Sequence, residues 1–185
     1  RIIAFEKAFC DRIGCKHAVG VSSGTAGLHL CVRALGIEDG DWVITTPFSF
    51  VSSTNVLLYE RAVPIFVDVD PMSGNIDPEQ IRNALADLSQ GGKAAGRWLP
   101  RHGAGAQGRL KAVLGVDVFG QPLDADRVYS LIHQYGLAFI EDACEALGAV
   151  YKGRNTGTLG DMGVFAFYPN KQITTAEGGI IVTDN

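Results

Sequence analysis

Two hydrophobic rhythms alternate along this chain. Phe5, Ala8, Phe9 and Ile13 fall at helical spacing and Gly14 closes the run, so a helix is expected over 3–13. Short unbroken apolar runs recur at 18–21, 41–45, 63–67, 111–116, 137–140, 164–168 and 180–182, and each reads as a buried strand. Helical stretches lie between them. One opens in Ser22-Ser-Gly-Thr-Ala-Gly-Leu28 and stops at Gly36, and one covers 52–60. Another starts at Asp77-Pro78, where proline at the first helical position costs no hydrogen bond, and ends near Leu88; a last one covers 124–135. Strand and helix in alternation imply an α/β chain, a three-layer α/β/α arrangement around a mostly parallel sheet with right-handed crossovers.

The rhythm breaks over 89–110. Gly91, Gly92, Gly96, Gly103, Gly105 and Gly108 are scattered among Lys93, Arg97, Arg101, His102 and Arg109, and the stretch reads as an exposed, mobile loop inserted between a helix and the next strand. Gly103-Ala-Gly-Ala-Gln-Gly108 matches the dinucleotide-binding fingerprint in letters only. No strand precedes it and a strand rather than a helix follows, so it reads as a false match in a solvated loop.

Composition narrows the class. With 185 residues, 46% of them apolar, the chain can bury one sizeable core. A formal charge of -4 argues against nucleic-acid binding, which favours a basic stripe. No apolar run is long enough to cross a bilayer, and no basic start leads into an apolar leader. Cys10, Cys15, Cys31 and Cys144 match neither a zinc ribbon nor a redox pair, and read as reduced, buried small hydrophobes of a cytoplasmic protein. The chain begins inside an apparent helix and stops directly after a strand, which is expected of a piece of a longer polypeptide.

Three stretches carry candidate chemistry, and in a parallel sheet all three fall at the carboxyl ends of strands, where ligands gather. Lys171 follows the turn residues Pro169 and Asn170 between two apolar runs. It is either a solvated turn lysine or an amine held where water is scarce, and the second condition favours the neutral form that attacks a carbonyl to make a Schiff base. Asp142 ends the run at 137–140, either as a turn cap or as a carboxylate facing a ligand. Ser22 to Leu28 passes from strand through small residues into a helix start, either a plain cap by Ser23 or Thr25 or an anion cup. A Schiff-base lysine, a carboxylate for a pyridine nitrogen and an anion cup are together what a protein supplies to hold pyridoxal 5'-phosphate.

Ser22-Ser-Gly-Thr-Ala26, Pro47-Phe-Ser-Phe-Val51, Phe66-Val-Asp68, Glu141-Asp-Ala143 with Ala146-Leu-Gly-Ala149, Gly160-Asp161, and Tyr168-Pro-Asn-Lys171 with Glu177-Gly-Gly179 resemble the DegT/DnrJ/StrS family of sugar aminotransferases. The likeness covers 1–185 apart from the insertion at about 89–110. It implies a partial large domain of a fold-type I aminotransferase, without the C-terminal small domain. By that resemblance Lys171 and Asp142 are the catalytic pair. Gly24, Thr25 and Ala26 hold the phosphate, Phe50 stacks on the ring and Glu145 lies near its phenolic oxygen; no metal is implied. The reaction would move an amino group from glutamate or glutamine to the keto group of a nucleotide-linked sugar, in a homodimer whose sites borrow residues from the partner. Two positions depart from the family pattern. Ala166 stands where serine is common, five residues before the lysine, so the cup lacks a hydroxyl and weaker cofactor retention is expected. Glu145 stands where Gln or His is usual. These departures and the insertion keep a non-catalytic binding or regulatory protein of the same fold as the alternative. The related dehydratases, which carry histidine in place of the lysine, are disfavoured by Lys171.

Overall fold

A seven-stranded sheet organises the residues that the computed structural model describes, 1–100 and 108–185. In chain order the first elements are α1 (Ile2–Ile13), β1 (His17–Val21), α2 (Gly24–Ala34), β2 (Trp42–Thr45), α3 (Ser52–Tyr59), β3 (Val63–Phe66), α4 (Pro78–Gln90) and α5 (Gly92–Gly96). There follow β4 (Leu110–Val116), a 3-10 turn at Val118–Gly120, α6 (Ala125–His133), β5 (Ala138–Asp142), β6 (Val150–Tyr151), β7 (Arg154–Asn155), β8 (Met162–Ala166) and β9 (Gly179–Thr183). The sheet order is β1-β9-β8-β5-β4-β2-β3, with β6 and β7 forming a separate ribbon. Among its described strands β9 alone runs against the rest. It pairs antiparallel with β8 and with β1, while β3, β2, β4, β5 and β8 pair in parallel.

Local chemistry sets the element ends. Asp77 accepts the amide of Glu79 at 2.8 Å and Pro78 opens α4, while α1 ends in left-handed Gly14 at φ 85°. Alternation along each strand then divides the core. Val43, Ala112, Leu114, Ile140 and Val164 face α2 and α3, meeting Leu28, Val32, Val56 and Leu57. Ile44, Val113 and Phe139 face the other way, toward Ile81 and Leu85 of α4 and Val128 and Ile132 of α6. Near β8 and β9 that second face is covered by α1, whose Phe9 ring lies 5.2 Å from Phe165 and 5.9 Å from Phe167. The three-layer architecture expected from the sequence is the observed one. No helix among the described residues is long and apolar enough to cross a membrane.

Two expectations need correction. Residues 89–110 are not wholly a loop: α4 runs on to Gln90, and α5 seats the buried Ala95. Trp98 packs on the core and its indole N–H donates to Asp87 at 2.7 Å, a carboxylate that also pairs with Arg97 at 2.8 Å. Two apolar anchors and one shared carboxylate fix a turn of helix that glycine-rich composition concealed. The fingerprint at Gly103 to Gly108, except for Gly108, lies outside the described residues, as do Arg101 and His102. The cysteines are unbridged, but only Cys31 is buried; Cys10, Cys15 and Cys144 are partly exposed. Cys10 and Cys15 flank the end of α1 rather than the sheet interior.

Below the carboxyl ends of β4 and β5 two acidic side chains are fully buried. Glu141 accepts the amides of Gly157 at 2.5 Å, Leu159 at 2.7 Å and Gly160 at 3.2 Å. Asp117 accepts Leu123 N through Oδ1 at 2.9 Å, and among the described residues its Oδ2 meets no N–H or O–H donor. Burial first, and the Glu141 charge second, push the Asp117 carboxyl up to about 9. Burial raises Glu141 as well, against the three amides that hold its charge. An oxygen without a donor beside a carboxylate is where a shared proton belongs. Burial favours a proton on the Asp117 carboxyl, while the three amides favour the charge on Glu141.

Asp117 titrates near its ordinary value of about 4 in the unfolded chain, so between about pH 4 and pH 9 the native state binds more protons. Stability is therefore full below that window and falls as pH rises through it. Asp117→Asn keeps an acceptor for Leu123 and a donor for Glu141, and is expected to flatten this slope in thermal midpoints measured from pH 5 to 9. An unchanged slope would place the proton elsewhere.

Candidate active site

The start of α2 and the carboxyl ends of β4, β5 and β8 converge on one cavity of about 610 Å³. That lies within the roughly 300–1,000 Å³ common for small-molecule sites. Of the residues singled out in the sequence, Gly24, Thr25, Phe50, Asp142, Glu145 and Lys171 all line it. Ala26 does not: it sits one step further into α2, and its amide is taken by Ser23 Oγ at 3.1 Å. The two readings of this helix start are thus both satisfied. Ser23 is the cap for Ala26, while the first-turn amides of Gly24 and Thr25, which helix geometry leaves without an intrahelical partner, belong to residues on the cavity wall.

Close packing explains why small residues are needed there. A Cβ on Gly24 would lie 2.8 Å from both Ala166 Cβ and Cys144 Sγ, and one on Gly27 would lie 2.7 Å from Val164 Cγ1. The first turn of α2 therefore rests directly on the end of β8, and Ala166 shares the cavity wall with it.

Asp142 closes β5 and is only 5% exposed. Its Oδ2 accepts Ser53 Oγ at 2.7 Å and its Oδ1 accepts Cys144 N at 3.2 Å. Ser53 is fully buried in the first turn of α3, and sequence reasoning missed it. Nothing in the run Ser52-Ser53 indicates a partner 89 residues away.

Lys171 ends the turn Tyr168-Pro-Asn-Lys171, with its amide bonded to Tyr168 O at 2.9 Å. Thr174 Oγ1 and Thr175 N both return to Phe167 O, at 2.9 and 3.0 Å, and fold the segment back over β8. The lysine side chain is 14% exposed, so the solvated-turn reading fails. Its Nζ lies 3.1 Å from Glu145 Oε1 in an ion pair. The second oxygen of Glu145 accepts Phe119 N at 3.2 Å. Phe119 holds a left-handed φ of 54°, unusual for a residue with a side chain and costing roughly 1–3 kcal/mol. Its ring is 82% exposed and meets Phe48 edge-on at 6.0 Å, beside the exposed Phe50.

Comparison with known proteins finds matches over the whole chain. The sequence model described as the DegT/DnrJ/EryC1/StrS aminotransferase family matches residues 1–185. An uncharacterized protein of Methanocaldococcus jannaschii is 42% identical over all of this chain and 42% of its own length. GDP-perosamine synthase of Caulobacter vibrioides is 38% identical over 100% of this chain and 44% of that protein. Among solved structures, a DegT/DnrJ/EryC1/StrS aminotransferase from Brucella abortus superposes with a TM-score of 0.88 at 30% identity, covering 100% of this chain and 46% of that one. The E. coli GDP-4-keto-6-deoxy-D-mannose-3-dehydratase with bound hydrated PLP superposes at 0.83 and 29% identity, covering 100% and 43%. The chain thus spans less than half the length of the relatives it matches.

Ser53→Ala removes a donor from a buried carboxylate without changing the fold's outline. It is expected to cost about 1–3 kcal/mol of stability, read as a lower urea midpoint. An unmoved midpoint would mean that Asp142 Oδ2 finds another donor.

Proposed function

Since this chain belongs to the DegT/DnrJ/EryC1/StrS aminotransferase family, we propose that it is the cofactor-holding part of a pyridoxal 5'-phosphate-dependent sugar aminotransferase. The amino group would come from glutamate or glutamine and pass to the keto group of a nucleotide-linked sugar. The observation that carries this reading is that one cavity is lined by an amine, a buried carboxylate and a helix start.

Those residues fit the cofactor by their own chemistry. Gly24 and Thr25 offer first-turn amides and the positive end of a helix to a phosphate. Asp142, fixed by Ser53 and Cys144 on the cavity wall, offers a carboxylate that would keep a ring nitrogen protonated, and Phe50 offers an apolar face to a ring. Lys171 Nζ is the group to bind the aldehyde carbon and, once released, to move a proton at the reacting carbon. Pyridoxal 5'-phosphate in this place supplies an aldehyde that exchanges oxygen for amino nitrogen, and a ring that accepts electrons when the adjacent C–H bond breaks. Ala26 enters this account only as part of the helix that carries Gly24 and Thr25. The nucleotide-linked substrate is supported by the likeness to GDP-perosamine synthase. A homodimer is supported by the exposed rings of Phe50 and Phe119 at the mouth, which a second subunit would cover. The likeness to the E. coli dehydratase favours a second reading, a sugar dehydratase, and Lys171 in place of that branch's histidine speaks against it.

Borohydride reduction of the full-length, cofactor-loaded protein followed by peptide mapping should place the pyridoxyl tag on Lys171, and Lys171→Ala should carry none. A tag on another lysine would overturn the assignment. Adding glutamate or glutamine should bleach the colour of the loaded protein; colour inert to every amino donor would establish the non-catalytic alternative. Ala166→Ser restores a hydroxyl at the cavity wall and is expected to tighten cofactor retention roughly fivefold, measured by equilibrium dialysis. Unchanged retention would mean that residue 166 does not reach the phosphate.

A further inference from the structure

We propose that Glu145 is the base that frees Lys171 for bond formation with an aldehyde. The inference rests on the reading of the cavity as a pyridoxal phosphate site, and concerns how the lysine becomes able to react there. An amine adds to a carbonyl only through its lone pair, yet Lys171 Nζ is tied to Glu145 Oε1 at 3.1 Å with its side chain 14% exposed. With so little of the side chain exposed, a contacting carboxylate is the nearest acceptor for its proton. The carboxylate is already in contact.

Glu145 is held for this task from three sides. Its Oε2 accepts Phe119 N at 3.2 Å, which leaves Oε1 turned to Nζ. Its main-chain oxygen accepts the side-chain amide of Gln172, the residue after the lysine, so the two segments move together. A Cβ on Gly120 would lie 2.9 Å from that same oxygen, which confines the backbone on the opposite side. The cavity's other acids are differently placed. Asp142 is committed to Ser53 and Cys144 N, and Glu177 makes no ion pair with Lys171.

The step balances without any oxidant or reductant. Oε1 takes one proton from the ammonium, and the freed lone pair forms the N–C bond while the carbonyl electrons go to oxygen. That oxygen takes a second proton from nitrogen and becomes a hydroxyl. Glu145 then returns the first proton to the hydroxyl, the C–O bond breaks and water leaves. Of the three ammonium hydrogens, two depart in water and one remains on the nitrogen of the C=N link, facing the restored carboxylate.

The test uses full-length protein stripped of cofactor and then mixed with pyridoxal 5'-phosphate, following formation of the lysine–cofactor link by stopped-flow absorbance. Glu145→Gln should slow the link by roughly 100-fold, the scale of a general base, and Glu145→Asp should recover part of the rate. Glu145→Ala should be equally slow, and should speed up in proportion to added formate, a small carboxylate that can enter the vacated space. Linking at the wild-type rate in the Gln variant overturns the proposal, and so does a slow Ala variant that formate leaves unchanged, since that pattern belongs to a packing role. Thermal midpoints identify a misfolded variant, and the near-isosteric Gln substitution then decides alone. A borohydride tag on Lys171 in the wild-type protein, whatever the variants do, keeps failure of this inference distinct from failure of the cofactor assignment.

Discussion

A carboxylate that is only 5% exposed must be met by donors, because an unpaired charge in a protein interior costs more than most single contacts return. Asp142 meets this condition by drawing two parts of the chain together. Ser53 ties the first turn of α3 to the end of β5, and Cys144 N turns the chain sharply after the strand. The neighbouring residue repeats the device on the other face of the sheet. Side chains alternate along a strand, so Glu141 points away from Asp142 and gathers three amides of the turn before β8, with Asp117 behind it. The end of β5 is gripped from both sides, and the position of Asp142 is fixed by polar contacts rather than by apolar packing alone.

The reversal of β9 supplies the lysine. Parallel strands need a crossover that carries the chain back to the opposite end of the sheet. After β8 there is no such crossover: β9 starts at the end where β8 stops, pairing Ala166 with Gly179. Everything between them stays at the carboxyl end, above the cavity, and that is the segment containing Lys171. The glycines of α2 complete the closure by letting a helix start rest on Ala166 and Val164 with no side chain between.

What could be read in the sequence was what local pattern encodes. The alternation of strand and helix, the turn before Lys171, the small residues at the start of α2 and the position of Asp142 at a strand end are all short-range features, and the structure has each of them. Contacts between distant residues leave no such mark. Ser53 looks like any helical serine until β5 is laid beside it. Asp117 and Glu141 look like two turn acids until burial forces a proton between them. The α5 turn and Trp98 were hidden because a glycine-rich stretch needs only a few anchors to be ordered, and composition averages those anchors away. Glu145 was legible as a departure from the family pattern, but its ion pair with Lys171 depends on two loops meeting, which no spacing in the chain displays.

Charge at the cavity wall constrains how an anionic ligand can enter. Among the described residues lining it, Lys171 is the one cation, and it is already paired with Glu145, while Asp142 and Glu177 add negative charge. A phosphate brought near those carboxylates would be repelled by them. The start of α2 is the place where the wall offers positive potential without a cationic side chain. On the proposed reading, an anion-bearing aldehyde would set its phosphate at Gly24 and Thr25 and its uncharged carbonyl toward Lys171. With the lysine nitrogen bonded and protonated, the Glu145 carboxylate would again face a cation. The residue proposed to accept a proton for the link to form would then stabilise the link electrostatically, so a glutamate at this position fits the site.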